Sequence, residues 1–582
     1  MTQTLPWQKM YHVKIMKNET KNCQNCKGDF TIEPDDFSFY EKMKVPPPSW
    51  CPECRMTRRL SCANSWSLFW RNCNKCEKRM LSMFPLQKDL TVYCQQCWWA
   101  DDWDGTEYAM EYDVSRSFFA QLKELAKKTP YTTLETSYST LKNCEYSNSI
   151  AYSKNCFMTI WADFCENVYY SSILNGLKWS SDCLRGWESE LCHESTGFIR
   201  SYRAFFSEDF DDCVDIWFCR NCYNCTNCIG CVNLRGESNC IFNVKYSKEE
   251  YAKKLKELDF SSWDNIQKFE KEAREFWLTK PFREYNGNSF NLNVTGEHVY
   301  KSKNSKECYI LNGAENCKWC QLITVDGSRD CMDYTGWGNK AELLYECLQV
   351  GDGASRCKFA SHCFPDALNT EYCHWAVSSK NNFGCVNLKR KSHCILNKQY
   401  SKEEYEKLKE KIIADMKNNP YVDEQGRAWS YGEFFSPGFG NFAYNNSNAN
   451  KFIPKTKEEA TSLGYSWNDA VNPSAECTMK SGALPQTIAE TEETILQEII
   501  ECMSCKRSYK IVQGELDLLC KMNLPVPHEC PKCRENRRFA RMNAPGMHHR
   551  TCAKCEKEIY TPYAPERQEI VYCVKCYQGE FL

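Results

Sequence analysis

The sequence predicts a mainly β fold, in which two right-handed parallel β-solenoid halves with capping helices are flanked by duplicated cysteine-rich modules. Three observations lead to this prediction. A block of eight cysteines at the start of the chain returns 479 residues later with the same spacing. Short β-prone phrases, most of them built around a cysteine, recur through the middle of the chain. Residues 230–251 also repeat at 384–405. Short repeated units bury an apolar face only by stacking on one another.

The two end modules, residues 1–100 and 501–582, each carry four C-x2-C pairs. One such pair presents two thiolates to a tetrahedral zinc ion, so two pairs complete a closed structural site. We therefore predict two zinc-ribbon sites in each module and four zinc ions per chain. The sixteen predicted ligands are Cys23, Cys26, Cys51, Cys54, Cys73, Cys76, Cys94, Cys97, Cys502, Cys505, Cys530, Cys533, Cys552, Cys555, Cys573 and Cys576.

The spacing leaves open which pairs share a metal. In a sequential arrangement the first two pairs hold one zinc and the last two hold another, whereas a cross-braced arrangement joins the first pair to the third. The 17 residues between Cys76 and Cys94 fit a zinc ribbon, but the 24 between Cys26 and Cys51 need a longer loop. We expect the sequential arrangement.

The middle of the chain is predicted to form the β-solenoid halves. Its cysteines step by about nine to ten residues, and two such phrases per coil predict rungs of 19–20 residues, with asparagines at the corners. Two capping-box starts, Ser247 with Glu250 and Ser401 with Glu404, open helices that would cover the solenoid ends. The predicted order is 101–129 linker and capping helix, 130–246 first half, 247–281 helical linker, 282–400 second half and 401–418 capping helix.

Two further segments are harder to interpret. Residues 419–500 are predicted to form an aromatic and glycine-rich arm that ends in an amphipathic helix over about 485–500. In the CRNCYNCTNCIGC run, a cysteine occurs at every third residue from Cys219 to Cys231. This run fits an inward-facing cysteine ladder, but the same spacing also resembles part of an iron–sulfur motif or a further zinc site.

The ends of the chain are basic, although the net charge is −2. Residues 1–100 hold 15 Lys and Arg against 9 Asp and Glu, and residues 501–582 hold 14 against 10. Basic surfaces attract a phosphate backbone. The arginines beside the second and third cysteine pairs are therefore the predicted nucleic-acid contacts. They are Arg55, Arg58, Arg59, Arg71, Arg534, Arg537, Arg538 and Arg550. The competing interpretation is that these arginines form ion pairs between the ribbons.

Three functions from different classes stay open at this point. The first is a zinc-stabilised nucleic-acid-binding scaffold, with RNA slightly favoured. The second is a non-enzymatic protein-interaction scaffold whose modules serve as end caps or oligomer contacts. The third is a carbohydrate-active β-helix enzyme that would use the acidic run from Asp209 to Asp215. The chain lacks a phosphate loop, a Gly-x-Ser-x-Gly motif and a dinucleotide fingerprint, so we expect no enzyme.

The cysteine content also bears on the cellular compartment. The chain begins without an apolar signal core, and no run of residues approaches a membrane span. Thiolate pairs spaced for zinc need reducing conditions. We therefore expect a cytoplasmic protein without membrane attachment.

The motifs carry a resemblance to known proteins. CPECRMTRR at 51–59 and CPKCRENRR at 530–538 place the modules among zinc ribbons. The middle resembles right-handed β-helices of cysteine-rich cytosolic cofactor domains. The whole chain resembles uncharacterised bacterial proteins in which CPxCRxxRR ribbons flank a cysteine-rich β-helix, and this resemblance implies no activity.

Overall fold

The computed structural model describes residues 17–287, 290–339, 341–343, 345–349, 351, 353, 355–361, 368–470 and 474–581. Over these residues the chain is rich in short strands, many of them parallel, with helices between and beside the sheets. No helix of the described residues has both the length and the apolar character needed to cross a membrane.

The two end modules have the same order of elements. The first consists of β1 (Glu19–Asn22), β2 (Asp29–Ile32), α1 (Pro34–Met43), α2 (Pro52–Ser61), β3 (Phe69–Asn72), β4 (Arg79–Ser82), β5 (Val92–Tyr93) and α3 (Gln95–Trp99). α4 (Phe118–Lys128) and β6 (Tyr131–Thr132) follow it, and β6 pairs in parallel with β5. The capping helix predicted within 101–129 thus corresponds to α4.

The first strand stack follows, and its strands are β7 (Lys142–Glu145), β8 (Asn148–Ala151), β9 (Lys154–Phe157), β10 (Ile160–Asp163), β11 (Glu166–Tyr169), β12 (Ser172–Asn175), β13 (Lys178–Ser181), β14 (Leu184–Trp187), β15 (Thr196–Ile199), β16 (Tyr202–Phe205), β17 (Glu208–Asp211), β18 (Val214–Trp217), β19 (Thr226–Ile229), β20 (Ser238–Ile241) and β21 (Val244–Lys245). Parallel partners lie twelve residues apart, as in Ile160 beside Ser172 and Ser172 beside Leu184. The predicted rung of 19–20 residues is therefore wrong.

A three-residue repeat explains both the true rung and the error. Every third residue from Asn143 to Phe242 has a positive φ, and every third residue from Ser147 to Cys231 is buried. Four such triplets make one rung. Cysteines nine residues apart are thus three inward positions apart, which falls one position short of a complete rung. The predicted corner asparagines are present, since Asn143 donates to Asn155 at 3.1 Å and Asn155 donates to Asn167 at 3.0 Å.

Helices α5 (Lys248–Leu258) and α6 (Trp263–Leu278) separate the first strand stack from the second. β22 (Pro281–Arg283) follows α6 and pairs in parallel with Ile570–Tyr572 of the second module. The second strand stack contains β23 (Gly296–Tyr300), β24 (Cys308–Asn312), β25 (Gln321–Ile323), β26 (His374–Val377), β27 (Val386–Lys389), β28 (Cys394–Ile395) and β29 (Lys398–Gln399). Isolated parallel bridges continue the pairing between β25 and β26. α7 (Lys402–Asn418) closes this region, and both predicted capping boxes are present at the starts of α5 and α7.

The arm after α7 contains β30 (Tyr421–Val422), β31 (Ala428–Trp429), α8 (Ala449–Phe452) and α9 (Lys457–Ser462). The helix predicted over about 485–500 is wrong, because the chain there forms two 3₁₀ turns, Ile488–Glu490 and Glu493–Gln497. This segment is rich in Thr, Ile and clustered Glu. β-Branched residues are weak helix formers, and neighbouring like charges weaken a helix further.

The second module repeats the first with β32 (Ile500–Glu501), β33 (Ser508–Tyr509), α10 (Gln513–Met522), α11 (Pro531–Arg541), β34 (His548–Thr551), β35 (Glu558–Thr561), β36 (Ile570–Tyr572) and α12 (Val574–Phe581). The modules and the strand stacks pack crosswise. One hydrophobic core joins the first module to the second strand stack, and another joins the second module to the first strand stack.

Candidate metal centres and arginine clasps

The sixteen predicted ligands gather into four groups of four cysteines. In each group the sulfur atoms all lie within 4.8 Å of one another. The groups follow the sequential arrangement, so the cross-braced alternative is not observed. They are Cys23, Cys26, Cys51 and Cys54; Cys73, Cys76, Cys94 and Cys97; Cys502, Cys505, Cys530 and Cys533; and Cys552, Cys555, Cys573 and Cys576. Each group could hold one metal ion.

Local backbone geometry presents the thiols in every group. In the first group Cys23 lies in a tight turn between β1 and β2, where its N–H donates to Gly28 at 2.8 Å. Cys51 is the residue that precedes α2, and Cys54 lies in the first turn of that helix. The Cys51 N–H faces the sulfur of Cys23 at 3.2 Å. The same amide-to-sulfur contact recurs at 3.2 Å in the other three groups.

The sulfur separations fit a tetrahedral metal site. One close pair of sulfur atoms in each group is Cys26–Cys51 at 3.8 Å, Cys76–Cys94 at 3.8 Å, Cys505–Cys530 at 3.7 Å and Cys555–Cys573 at 3.8 Å. Zinc–sulfur bonds of about 2.3 Å give a tetrahedron with edges of about 3.8 Å. Disulfide sulfurs would lie about 2 Å apart. The groups are therefore compatible with zinc.

The backbone around Cys552 favours its thiolate form. Burial raises the pKa of the Cys552 thiol, but backbone N–H groups of Cys573 and Cys555 outweigh this effect and lower the pKa to about 6. A thiolate is the form that binds a metal. Four thiolates close the coordination shell, so no position remains for a substrate.

The eight predicted nucleic-acid arginines lie elsewhere than expected. Arg55, Arg58, Arg59, Arg71, Arg534 and Arg538 are buried, whereas Arg537 and Arg550 are partly exposed. Six of the eight therefore do not lie on an exposed basic face. Arg71 and Arg550 donate to the backbone carbonyls of Leu90 and Glu569 at 3.0 and 3.2 Å, so both tie loops within their own module.

Arg55, Arg58 and Arg59 contact carboxylates far away in the sequence. Arg55 and Arg59 each lie 2.9 Å from an oxygen of Asp333 in the second strand stack. We call these three arginines, together with their partners Asp333, Glu346 and Glu433, the N-terminal clasp. The three carboxylates balance the charge of the three arginines.

Arg58 lies at the centre of the N-terminal clasp. It contacts Glu346 at 2.5 Å and Glu433 of the arm at 3.1 Å. Its guanidinium group also lies 4.4 Å from the ring of Trp50 and 5.2 Å from that of Trp429. Cation–π contacts with both rings add to the ion pairs, so Arg58 joins α2, the second strand stack and the arm.

The second module forms the equivalent C-terminal clasp, which joins Arg534, Arg537 and Arg538 to Asp182, Glu194, Glu515 and Glu529. Arg534 and Arg538 share Asp182 at 2.5 and 2.7 Å, as Arg55 and Arg59 share Asp333.

Arg537 reaches Glu194 at 2.9 Å, one rung beyond Asp182. Glu346 likewise follows Asp333 by thirteen residues. In each module, the three arginines at equivalent positions therefore contact two carboxylates of a strand stack.

These carboxylates are the functional residues that sequence reasoning missed. Asp182, Glu194, Asp333 and Glu346 are single acids within repetitive segments, and no local motif surrounds them. Their spacing of twelve and thirteen residues becomes informative only when the rung length is known.

Other sequence candidates have structural roles. Cys219, Cys222 and Cys225 occupy three successive inward positions, Cys228 and Cys231 continue the series, and all five are fully buried. None of them belongs to the four metal-ligand groups found among the described residues, so the inward ladder is the arrangement that the structure supports. In the acidic run, Asp212 pairs with Arg200 and Asp215 with Arg203, each one rung earlier.

Comparison of the sequence with protein-family models finds no match, and comparison with curated proteins finds none either.

Proposed function

We propose that this protein is a zinc-stabilised, non-enzymatic scaffold for protein interaction, in which each four-cysteine group holds one zinc ion. The observation that carries the proposal is the burial of the module arginines against carboxylates of the strand stacks. Such arginines hold a module against a strand stack, and their paired guanidinium groups are not available to bind phosphate. Zinc would fix the helix that carries them, because metal binding at these sites is also folding free energy.

The strand stacks would form the body of this scaffold. We propose that each is a right-handed parallel β-solenoid, the hand that parallel strand connections adopt almost without exception. The crosswise cores support a single clamped body, since each module packs mainly on the stack more distant in sequence. We infer that the proposed scaffold works in a reducing compartment such as the cytoplasm, because zinc-binding thiols must stay reduced.

Exposed aromatic side chains supply contact area for a partner protein. The side chains of Trp70 and Tyr146 are 46% and 38% exposed, and their rings lie 6.1 Å apart. Met158, one rung after Tyr146, is 39% exposed. Grouped exposed apolar side chains are typical of interaction surfaces. This surface favours a protein partner over nucleic acid.

Two measurements on the intact chain test the proposal. Elemental analysis of the purified protein should give four zinc ions per chain, and fewer than three would contradict it. Fluorescence anisotropy with single-stranded RNA should show no tight binding at low salt. Tight binding that weakens steeply as salt is added would indicate phosphate contacts and would restore the nucleic-acid function.

A further inference from the structure

A cavity of about 390 Å³ lies where the two strand stacks meet the first module. Pockets for small molecules commonly span about 300–1,000 Å³. Residues 149–151 of β8 and 161–163 of β10 form one wall, and Gln95 and Trp99 of α3 lie at another. None of the described lining residues belongs to a four-cysteine group or to a clasp. The cavity is therefore separate from the metal groups and the clasps.

Six aromatic side chains line this cavity. Tyr152 and Phe164 occupy equivalent corners of adjacent rungs, and their rings stack 5.0 Å apart at an interplanar angle of 5°. They are 59% and 57% exposed, so much of each side chain is accessible at the cavity. The other four are Trp99, Trp161, Trp337 and Trp375.

Backbone geometry sets one of these rings in place. Gly351 has a φ of +59°, and a Cβ added there would lie 2.1 Å from the indole of Trp337. A residue with a side chain would therefore displace the ring. The glycine allows Trp337 to lie directly against the backbone beside the cavity.

Polar groups are placed among the aromatic rings. Gln349 is 6% exposed, and its Nε2 donates to Oε2 of Glu135 at 2.7 Å. The Gln349 Oε1 meets no hydrogen-bond donor within the part of the chain that the structure describes. A buried carbonyl without a donor is unfavourable. Asp163 and Asn175 add further oxygen and nitrogen atoms to the lining.

We propose that this cavity binds a neutral saccharide. The C–H face of a sugar ring is apolar and flat enough to lie on an aromatic ring, while its hydroxyls both donate and accept hydrogen bonds. One hydroxyl would satisfy Gln349 Oε1, and others would bond Glu135, Asp163 and Asn175. A pure hydrocarbon would leave Gln349 unsatisfied.

Anionic ligands fit this lining less well. It contains two carboxylates, and no described lining residue is Lys, Arg or His. Phosphate and carboxylate groups are usually held by such basic side chains or by backbone N–H groups. The inference does not depend on the proposed scaffold function, because it uses neither the metal sites nor the clasps.

Titration of the full-length, metal-loaded protein with a panel of neutral mono- and disaccharides tests the proposal. Tryptophan fluorescence and calorimetry would both report binding. We expect at least one saccharide to bind. Gln349→Leu should lower its affinity by about tenfold, which corresponds to about 1.4 kcal/mol. Phe164→Ala, at the exposed rim, should weaken binding without affecting folding.

A matched control lies on the same edge of the first strand stack. Glu188 follows Phe164 by two rungs at the same corner and is exposed, so Glu188→Gln should retain the affinity. Failure of every saccharide to bind the folded protein would overturn the proposal. So would unchanged affinity in both Gln349→Leu and Phe164→Ala, or binding of uncharged nucleosides from a parallel panel in place of saccharides.

Discussion

Asp333→Asn removes the negative charge that Arg55 and Arg59 share in the N-terminal clasp. All three side chains are essentially inaccessible to solvent, and both arginines lie 2.9 Å from the carboxylate. The substitution keeps the size of the side chain but leaves two buried guanidinium groups without their counter-charge. Removing one partner of a buried pair costs about 3–5 kcal/mol. We expect a loss of stability of this order. The loss should not be larger, because the ion pair between Arg58 and Glu346 remains intact.

Urea unfolding of the metal-loaded chain, followed by circular dichroism and tryptophan fluorescence, would measure this loss. Asp212→Asn is the matched control, because Asp212 pairs with Arg200 at 2.7 Å while both side chains are nearly half exposed. An exposed pair contributes about 0–1 kcal/mol. If Asp333→Asn costs no more than Asp212→Asn, the clasp does not hold the module to the second strand stack, and the reasoning fails.

Three further predictions follow from the same geometry. Cys51→Ser should reduce the zinc content by one ion per chain while Cys62→Ser leaves it unchanged, as elemental analysis would show; equal losses would contradict the ligand assignment. Burial by itself raises the pKa of Glu194, but Arg537, Arg538 and Arg541 outweigh it and hold the pKa well below 4.5. A carboxyl group with a lowered pKa stabilises the fold at pH values above its ordinary pKa, so this contribution should be lost as the pH falls below about 4.5. Glu194→Gln should therefore make the free energy of unfolding depend less on pH in this range. Gly186→Ala would place a Cβ 2.5 Å from the ring of Phe198 and should cost about 1–3 kcal/mol in urea unfolding, whereas Gly482→Ala, which has open space around it, should be close to neutral.

The metal groups were the part most accessible from sequence. The spacing of sixteen cysteines in C-x2-C pairs predicts a metal site, because paired thiols at this spacing are typical of zinc ligands. The sequence does not show which two C-x2-C pairs bind the same metal ion. The 24-residue loop between Cys26 and Cys51 contains α1, and the length of a loop does not say which pair it returns to.

The sequence predicts stacked short parallel strands, but it does not predict the number of residues in each rung. Cysteines marked the inward face, yet serine, alanine and phenylalanine fill the same inward positions. Ser147, Ala162 and Phe198 are buried just as Cys156 is. The spacing between cysteines therefore gives the distance between inward positions that happen to hold cysteine, and this distance differs from the length of one rung. The positive φ at every third residue, which defines the corners, is adopted by side chains as different as Trp161 and Asn167.

The arginines show what the sequence could not reveal about the predicted nucleic-acid contacts. Arg55, Arg58 and Arg59 follow a metal ligand on a short helix, a pattern typical of nucleic-acid-binding ribbons. The sequence does not reveal that Asp333 and Glu346 lie against this helix, because a very long stretch of chain separates them from it. Local charge predicts that a partner exists, while tertiary packing decides whether that partner is phosphate or carboxylate.

Chemical modification of arginines in the native, metal-loaded chain tests the central claim most directly. Phenylglyoxal treatment followed by peptide mass spectrometry would compare Arg55, Arg58, Arg59, Arg534 and Arg538 with Arg390, whose side chain is 73% exposed. The account predicts rapid modification of Arg390 and protection of the clasp arginines until the metal is removed by a chelator. Modification of the clasp arginines in the native protein as fast as that of Arg390 would contradict it.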